Sequence, residues 1–77
     1  MIIEILGMGC PRCEELAKNV IQAANELDLT VEVKKVTDIK KILHYGVIMT
    51  PGLVVEGKVK ASGKLLSVEE IKKILKA

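Results

Sequence analysis

The sequence predicts an α/β fold of element order βαβαββα, and three observations carry that expectation. A short aliphatic run at the start is followed by a proline and then by apolar residues at helical spacing. A second extended run, Thr30 to Val36, alternates polar and apolar residues. The chain closes with a tight hairpin and a separately capped helix. At 77 residues it is expected to form a single domain, spanning 1–77. A domain of this size buries only about 60% of the surface its unfolded chain exposes.

Ile2 to Leu6 reads as a buried strand ended by Gly7, with Glu4 its one polar residue. After Gly7-Met8-Gly9, Pro11 stands where a helix has its first turn, and there its missing N–H would have had no intrahelical partner anyway. Glu14 and Glu15 come next, at the positive end of the helix dipole. Leu16, Val20, Ile21, Ala24 and Leu27 then recur at helical spacing, giving a helix from about Pro11 to Leu27. Thr30 to Val36 forms a half-exposed strand. Asp38 suits the N-cap of a short helix that carries Ile39, Ile42 and Leu43 and ends near Gly46. Val47 to Pro51 is an approach segment halted by proline. Leu53-Val54-Val55 and Val59-Lys60-Ala61 flank Glu56-Gly57-Lys58, where Gly57 supplies the positive φ of a tight turn. Ser67 and Glu70 make a capping box for the last helix, whose stripe is Val68, Ile71, Ile74 and Leu75. The first two strands, joined through a helix, should run parallel with a right-handed crossover. The last two form an antiparallel hairpin, and helices cover both faces of the sheet.

Composition excludes several classes. Twelve cations against ten anions leave a net charge of +2, the charges are interspersed, and Tyr45 is the only aromatic. Nucleic-acid binding, which needs a basic patch with stacking aromatics, has no support. No apolar run approaches membrane-spanning length, and the start lacks the charged region of a signal peptide. The chain is therefore expected to be cytoplasmic and off the membrane. Lys58 and Lys60 on one likely edge strand, with Glu32 and Lys34 on the other, oppose edge-to-edge pairing, so a monomer is expected.

Two cysteines, Cys10 and Cys13, stand three positions apart. Bridging them closes a tiny loop that restrains the unfolded chain very little, so a purely structural disulfide explains them poorly. A pair of this spacing at a helix start has a chemical use. The thiolate is the nucleophile, and a free thiol of pKa about 8.5 supplies little of it at neutral pH. Unpaired N–H groups and the dipole at a helix N-terminus stabilise the anion. Cys10 falls at the cap, exposed, with Arg12 nearby; Cys13 lies one turn in, shielded. Cys10 would attack a substrate disulfide and Cys13 would resolve the mixed disulfide.

The strand, then Cys10-Pro11-Arg12-Cys13 opening a helix, then Thr50-Pro51 before a hairpin and a last helix, resemble the thioredoxin superfamily over essentially the whole chain. The chain resembles most the small archaeal and bacterial thioredoxin-like, glutaredoxin-like redox-active disulfide proteins. The resemblance implies a minimal thioredoxin fold, a four-stranded mixed sheet of order 2-1-3-4 flanked by three helices. It implies a protein disulfide oxidoreductase with no cofactor, acting on disulfide-containing proteins and served by a thioredoxin-reductase-like electron donor. Cys10 and Cys13 would be catalytic. Pro51 would be cis against the disulfide, and Thr50, Pro51, Pro11 and Arg12 would meet the substrate. Glu4 keeps the spacing of the buried acid of thioredoxins, six residues before the first cysteine, and is a candidate proton acceptor for Cys13. The chain departs from thioredoxins in having Gly9 where they carry tryptophan, and from glutaredoxins in having Arg12 where they carry an aromatic. Ser62-Gly63-Lys64 is the nearest stretch to the glutaredoxin Gly-Gly-Asp segment.

Met8-x-Cys10-x-x-Cys13 also matches small heavy-metal-associated domains that carry Cu(I), since soft thiolates select that ion. Those domains run βαββαβ and finish on a strand, unlike the order predicted here. No protein-bound metal is expected: zinc needs four ligands as a rule, and the cysteines with His44 supply three at most. His44 instead suits the negative end of the second helix. Gly7-x-Gly9 lacks the third glycine of a phosphate loop, Arg12 standing in its place. Met8 and Met49 are apolar surface near the cysteines or core.

Overall fold

Seven elements succeed one another in the computed structural model, which describes residues 1–7 and 11–76. They are β1 (Ile2–Leu6), α1 (Pro11–Glu26), β2 (Glu32–Val36), α2 (Ile39–His44), β3 (Gly52–Val55), β4 (Lys58–Ser62) and α3 (Val68–Lys76). The strands form a mixed sheet of order β2-β1-β3-β4. β1 runs parallel to β2 and antiparallel to β3, and β4 is antiparallel to β3. The βαβαββα order is the one that the sequence predicts, and the strand order 2-1-3-4 the one that the resemblance implies.

Local chemistry sets the ends of the elements. The Asp38 carboxylate accepts from the Lys40 N–H at 3.0 Å and caps α2. Ser67 and Glu70 exchange bonds at 3.2 Å each, completing the capping box of α3. β2 begins two residues later than the alternation suggests, because Glu32 pairs with Ile2 and its N–H donates to Met1; Thr30 and Val31 lie beyond the start of β1. The β3–β4 turn places both central residues at positive φ, Glu56 at 52° and Gly57 at 80°. A two-residue turn of that hand matches the twist of the flanking strands. The sequence points to Gly57 alone; Glu56 is carried into the left-handed region by the ladder on either side.

Alternation along the strands divides the core in two. Ile3 and Ile5 of β1 and Leu53 and Val55 of β3 face α1 and α3, meeting Leu16, Val20, Ile71 and Leu75. Each such fully buried aliphatic contributes about 1.5–3 kcal/mol over exposure. Asn19 Nδ2 donates to the Leu66 carbonyl at 2.9 Å, tying α1 to the approach of α3. Leu6 and Val54 face the other way, against Ile42 and Val47, with Val36 and Tyr45 at the margin. Here the structure differs from the sequence reading of α2. Ile39 and Leu43 are exposed and only Ile42 is buried. A six-residue helix offers one row to the sheet, and Ile42 occupies it.

Candidate active site

The antiparallel pairing of β1 with β3 brings two distant parts of the chain to one end of the sheet. Leu6, the last residue of β1, is opposite Gly52, the first of β3. The chain leaving β1 therefore lies beside the chain entering β3. Gly7 and then α1 come after β1, and Thr50-Pro51, joined by a cis peptide bond, comes before β3. Pro51 is fully buried, Thr50 is exposed, and the Pro51 carbonyl accepts from the Gly63 N–H at 2.9 Å.

Cys13, the third residue of α1, is only 5% exposed. Its sulfur rests on Gly7: a Cβ at that position would lie 2.2 Å from Cys13 Sγ and 3.2 Å from its Cβ. The same Cβ would be 3.8 Å from Thr50 Cβ, so Gly7, Cys13 and Thr50 converge. Gly7 is itself fixed by its N–H, which donates to the Val36 carbonyl at 3.0 Å. Beside the sulfur is a cavity of about 80 Å³ lined by Ile5, Gly7, Cys13, Glu14, Lys35 and Thr37. Lys35 Nζ donates to both Glu14 oxygens, at 2.7 and 2.9 Å, so an ion pair forms part of the wall. A buried sulfur thus sits at a helix start, beside a small cavity and a cis-proline corner: a thiol seat.

A family model described as a thioredoxin domain matches residues 1–76. The chain is 44% identical over 75 residues to a thioredoxin of Methanothermobacter thermautotrophicus, covering 97% of each. It is 42% identical over 77 residues to a thioredoxin of Methanocaldococcus jannaschii, covering all of this chain and 88% of the relative. The chain belongs to the thioredoxin family. As a thioredoxin-family protein it is a thiol–disulfide oxidoreductase. The fold agrees: α2 follows β2, where the order βαββαβ of the Cu(I)-carrying domains has a strand.

Pro11 opens α1 and Arg12 beside it is exposed. Cys10 and Met8 lie outside the described residues. Met49 and Ile48, immediately before the cis peptide, are 63% and 84% exposed and form apolar surface at the corner. His44 is the last residue of α2, where a cation suits the dipole. Glu4 is not among the residues lining the cavity at Cys13. It has the parity of Leu6 and turns to the α2 face, where its carboxylate accepts from the Tyr45 hydroxyl at 2.5 Å. That bond, then burial, then the Glu4 charge, hold the Tyr45 phenol above its ordinary pKa. Among the described residues no three of His, Cys, Asp and Glu gather as a metal site, and no helix is long and apolar enough to cross a membrane.

Sequence reasoning missed Gly7, Lys35 and Tyr45 as parts of this region. A glycine closing an apolar strand often marks a close approach, so Gly7 left a readable trace. The adjacent lysines at 34 and 35 left none, because either could face α1. Nothing local joins Tyr45 to a residue forty-one positions earlier.

Proposed function

We propose that this chain reduces disulfides of protein substrates by cycling Cys10 and Cys13 between dithiol and disulfide. The observation that supports this most is the convergence of Gly7, Cys13 and Thr50 beside the cis Thr50-Pro51 bond. The Cys10 thiolate attacks one sulfur of the substrate disulfide, forming a mixed disulfide and releasing the other sulfur as a thiolate. The Cys13 thiolate then attacks Cys10, releasing the second substrate thiolate, which takes up a proton. Two electrons leave the protein, and a thioredoxin-reductase-like donor restores them. Pro11 and Arg12 meet the substrate, while Thr50, Pro51 and the exposed Ile48 and Met49 receive its backbone and its apolar side chains. The chain does this as a single-domain monomer in the cytoplasm.

Cys13→Ser should accumulate a mixed disulfide through Cys10, and Cys10→Ser should be inert. The Cys10–Cys13 potential should lie between about −270 and −200 mV, where such pairs cycle against a reducing pool. A potential below about −300 mV with no reduction of any protein disulfide would overturn the proposal. Glu4 carries a separable assignment as the proton acceptor for Cys13, a role that requires its carboxylate to leave Tyr45. Glu4→Gln slowing the resolving step, with Cys10 alkylation unchanged, supports it; an unchanged resolving step leaves Glu4 as the anchor of Tyr45 alone.

A further inference from the structure

A second, larger depression lies on the opposite side of β2 from the cavity at Cys13. It is an open groove of about 900 Å³ between β2 and α2, with Lys34, Lys40, Lys41 and His44 along it and Glu4 and Tyr45 at its base. Its charges are unequally engaged. Glu4 accepts from Tyr45, and Asp38 is turned into the cap of α2 through Lys40 N–H. Lys35, also on its wall, is held by Glu14. Among the described residues no ion pair takes up Lys34, Lys40 or Lys41. The groove's lysines outnumber its carboxylates by two, so the whole net charge of the 77-residue chain is matched within one depression, and Lys34, Lys40 and Lys41 face water.

The groove also neighbours the thiol seat across the edge strand β2, where Lys35 and Thr37 line both depressions. We infer that it is a docking groove for an acidic segment, rich in Asp and Glu, flanking the disulfide in the partner protein. This rests on the exchange reaction proposed above and adds a selectivity to it. An extended acidic peptide fits better than a small anion: the lysines are spread over two elements along an open groove and do not converge on one buried point. Attraction between such a groove and an acidic segment raises encounter rates more than it tightens the complex, and it is screened by salt, with a reach of about 10 Å at 0.1 M.

The test uses the reduced protein and three peptides of equal length, each with one disulfide and acidic, neutral or basic flanks. At low salt kcat/KM for the acidic peptide should exceed that for the neutral one about tenfold, through KM, and the gap should close as salt is raised. The double variant Lys40→Gln/Lys41→Gln should remove the preference without slowing the neutral peptide, and Lys40→Glu/Lys41→Glu should invert it. The acidic peptide with its cysteines changed to serine gives an independent binding readout: it should bind the native protein and not the glutamate variant. Equal rates for the three peptides, or a preference that survives both variants, overturn the inference. So does an acidic peptide that binds no better than free glutamate, which would mark the groove as a small-anion site. Binding of the serine peptide without reduction of any disulfide would keep the groove and overturn the exchange proposal instead.

Discussion

Gly7→Ala puts a methyl group 2.2 Å from Cys13 Sγ and 3.2 Å from Cys13 Cβ. Non-bonded heavy atoms rest at about 3.5–4.0 Å, so the sulfur is short of room by more than an ångström. It cannot swing away freely, because Cys13 is buried in the first turn of α1 with Leu16 and Ala17 behind it. Nor can Gly7 retreat without giving up its bond to Val36. Overpacking of this kind costs about 1–3 kcal/mol. In a domain of this length about 2 kcal/mol lowers Tm by roughly 8–16 °C. A shift of about 1 Å in a reacting atom can cost about a hundredfold in rate. Two measurements check this: thermal unfolding, and the lifetime of the mixed disulfide formed with a model substrate, with Cys10 alkylation as the control. The variant should melt early and resolve slowly while Cys10 is alkylated at the native rate. The decisive comparison repeats the substitution in Cys13→Ala, where the sulfur is gone. Most of the stability loss should then disappear, leaving a coupling of the size seen between touching residues. An equal loss with and without the sulfur would refute the idea that Gly7 is small for the sake of Cys13.

Three further outcomes are expected. Tyr45 is the only phenol in the chain, so its near-ultraviolet titration reports one group, and the midpoint should lie above that of a free tyrosine and fall in Glu4→Gln. Because the folded value is the higher one, this bond stabilises the fold below the ordinary tyrosine pKa and is lost as pH rises through the raised value. The Lys72 ammonium, foremost through its hydrogen bond, holds Glu26 below the usual glutamate range, so that link between α1 and α3 is fully present above the ordinary glutamate pKa. It fades as pH falls through the lowered value, and Glu26→Gln should flatten the acid limb of a stability–pH curve; an unchanged limb would count against the pair. Ser67→Ala removes one half of the α3 capping box and should cost about 1 kcal/mol in denaturant unfolding, with the slope unchanged.

The elements were legible because each carries a local signal. Asp38 and Ser67 cap where short polar residues ahead of apolar spacing should, and Pro11 opens α1 where only a first turn tolerates it. Thr50-Pro51 is cis, as the resemblance implies. What could not be read is what the fold joins across long separations. Glu4 keeps the sequence spacing of an acid near the second cysteine, yet the alternation of β1 gives it the parity of Leu6 and takes it to Tyr45. Spacing along a strand fixes distance but not face, and the face is set by register with β2 and β3. The apolar residues of α2 misled in the same way: Ile39 and Leu43 have helical spacing, but a helix of one and a half turns has no second surface to bury them.

The two sides of the sheet are unequally insulated from water, and this bears on how the molecule breathes. Among the described residues twelve buried side chains lock α1 and α3 to one face, whereas four hold α2 and the loop after it to the other. Subglobal opening draws on the cheapest cooperative unit. Amides of α2 and of the segment leading into Thr50 should therefore exchange with deuterium through a low-energy excursion, while those of β1 and β3 wait for complete unfolding. The cis-proline corner is thus hung on the looser side of the molecule, and the sulfur of Cys13 on the firmer one.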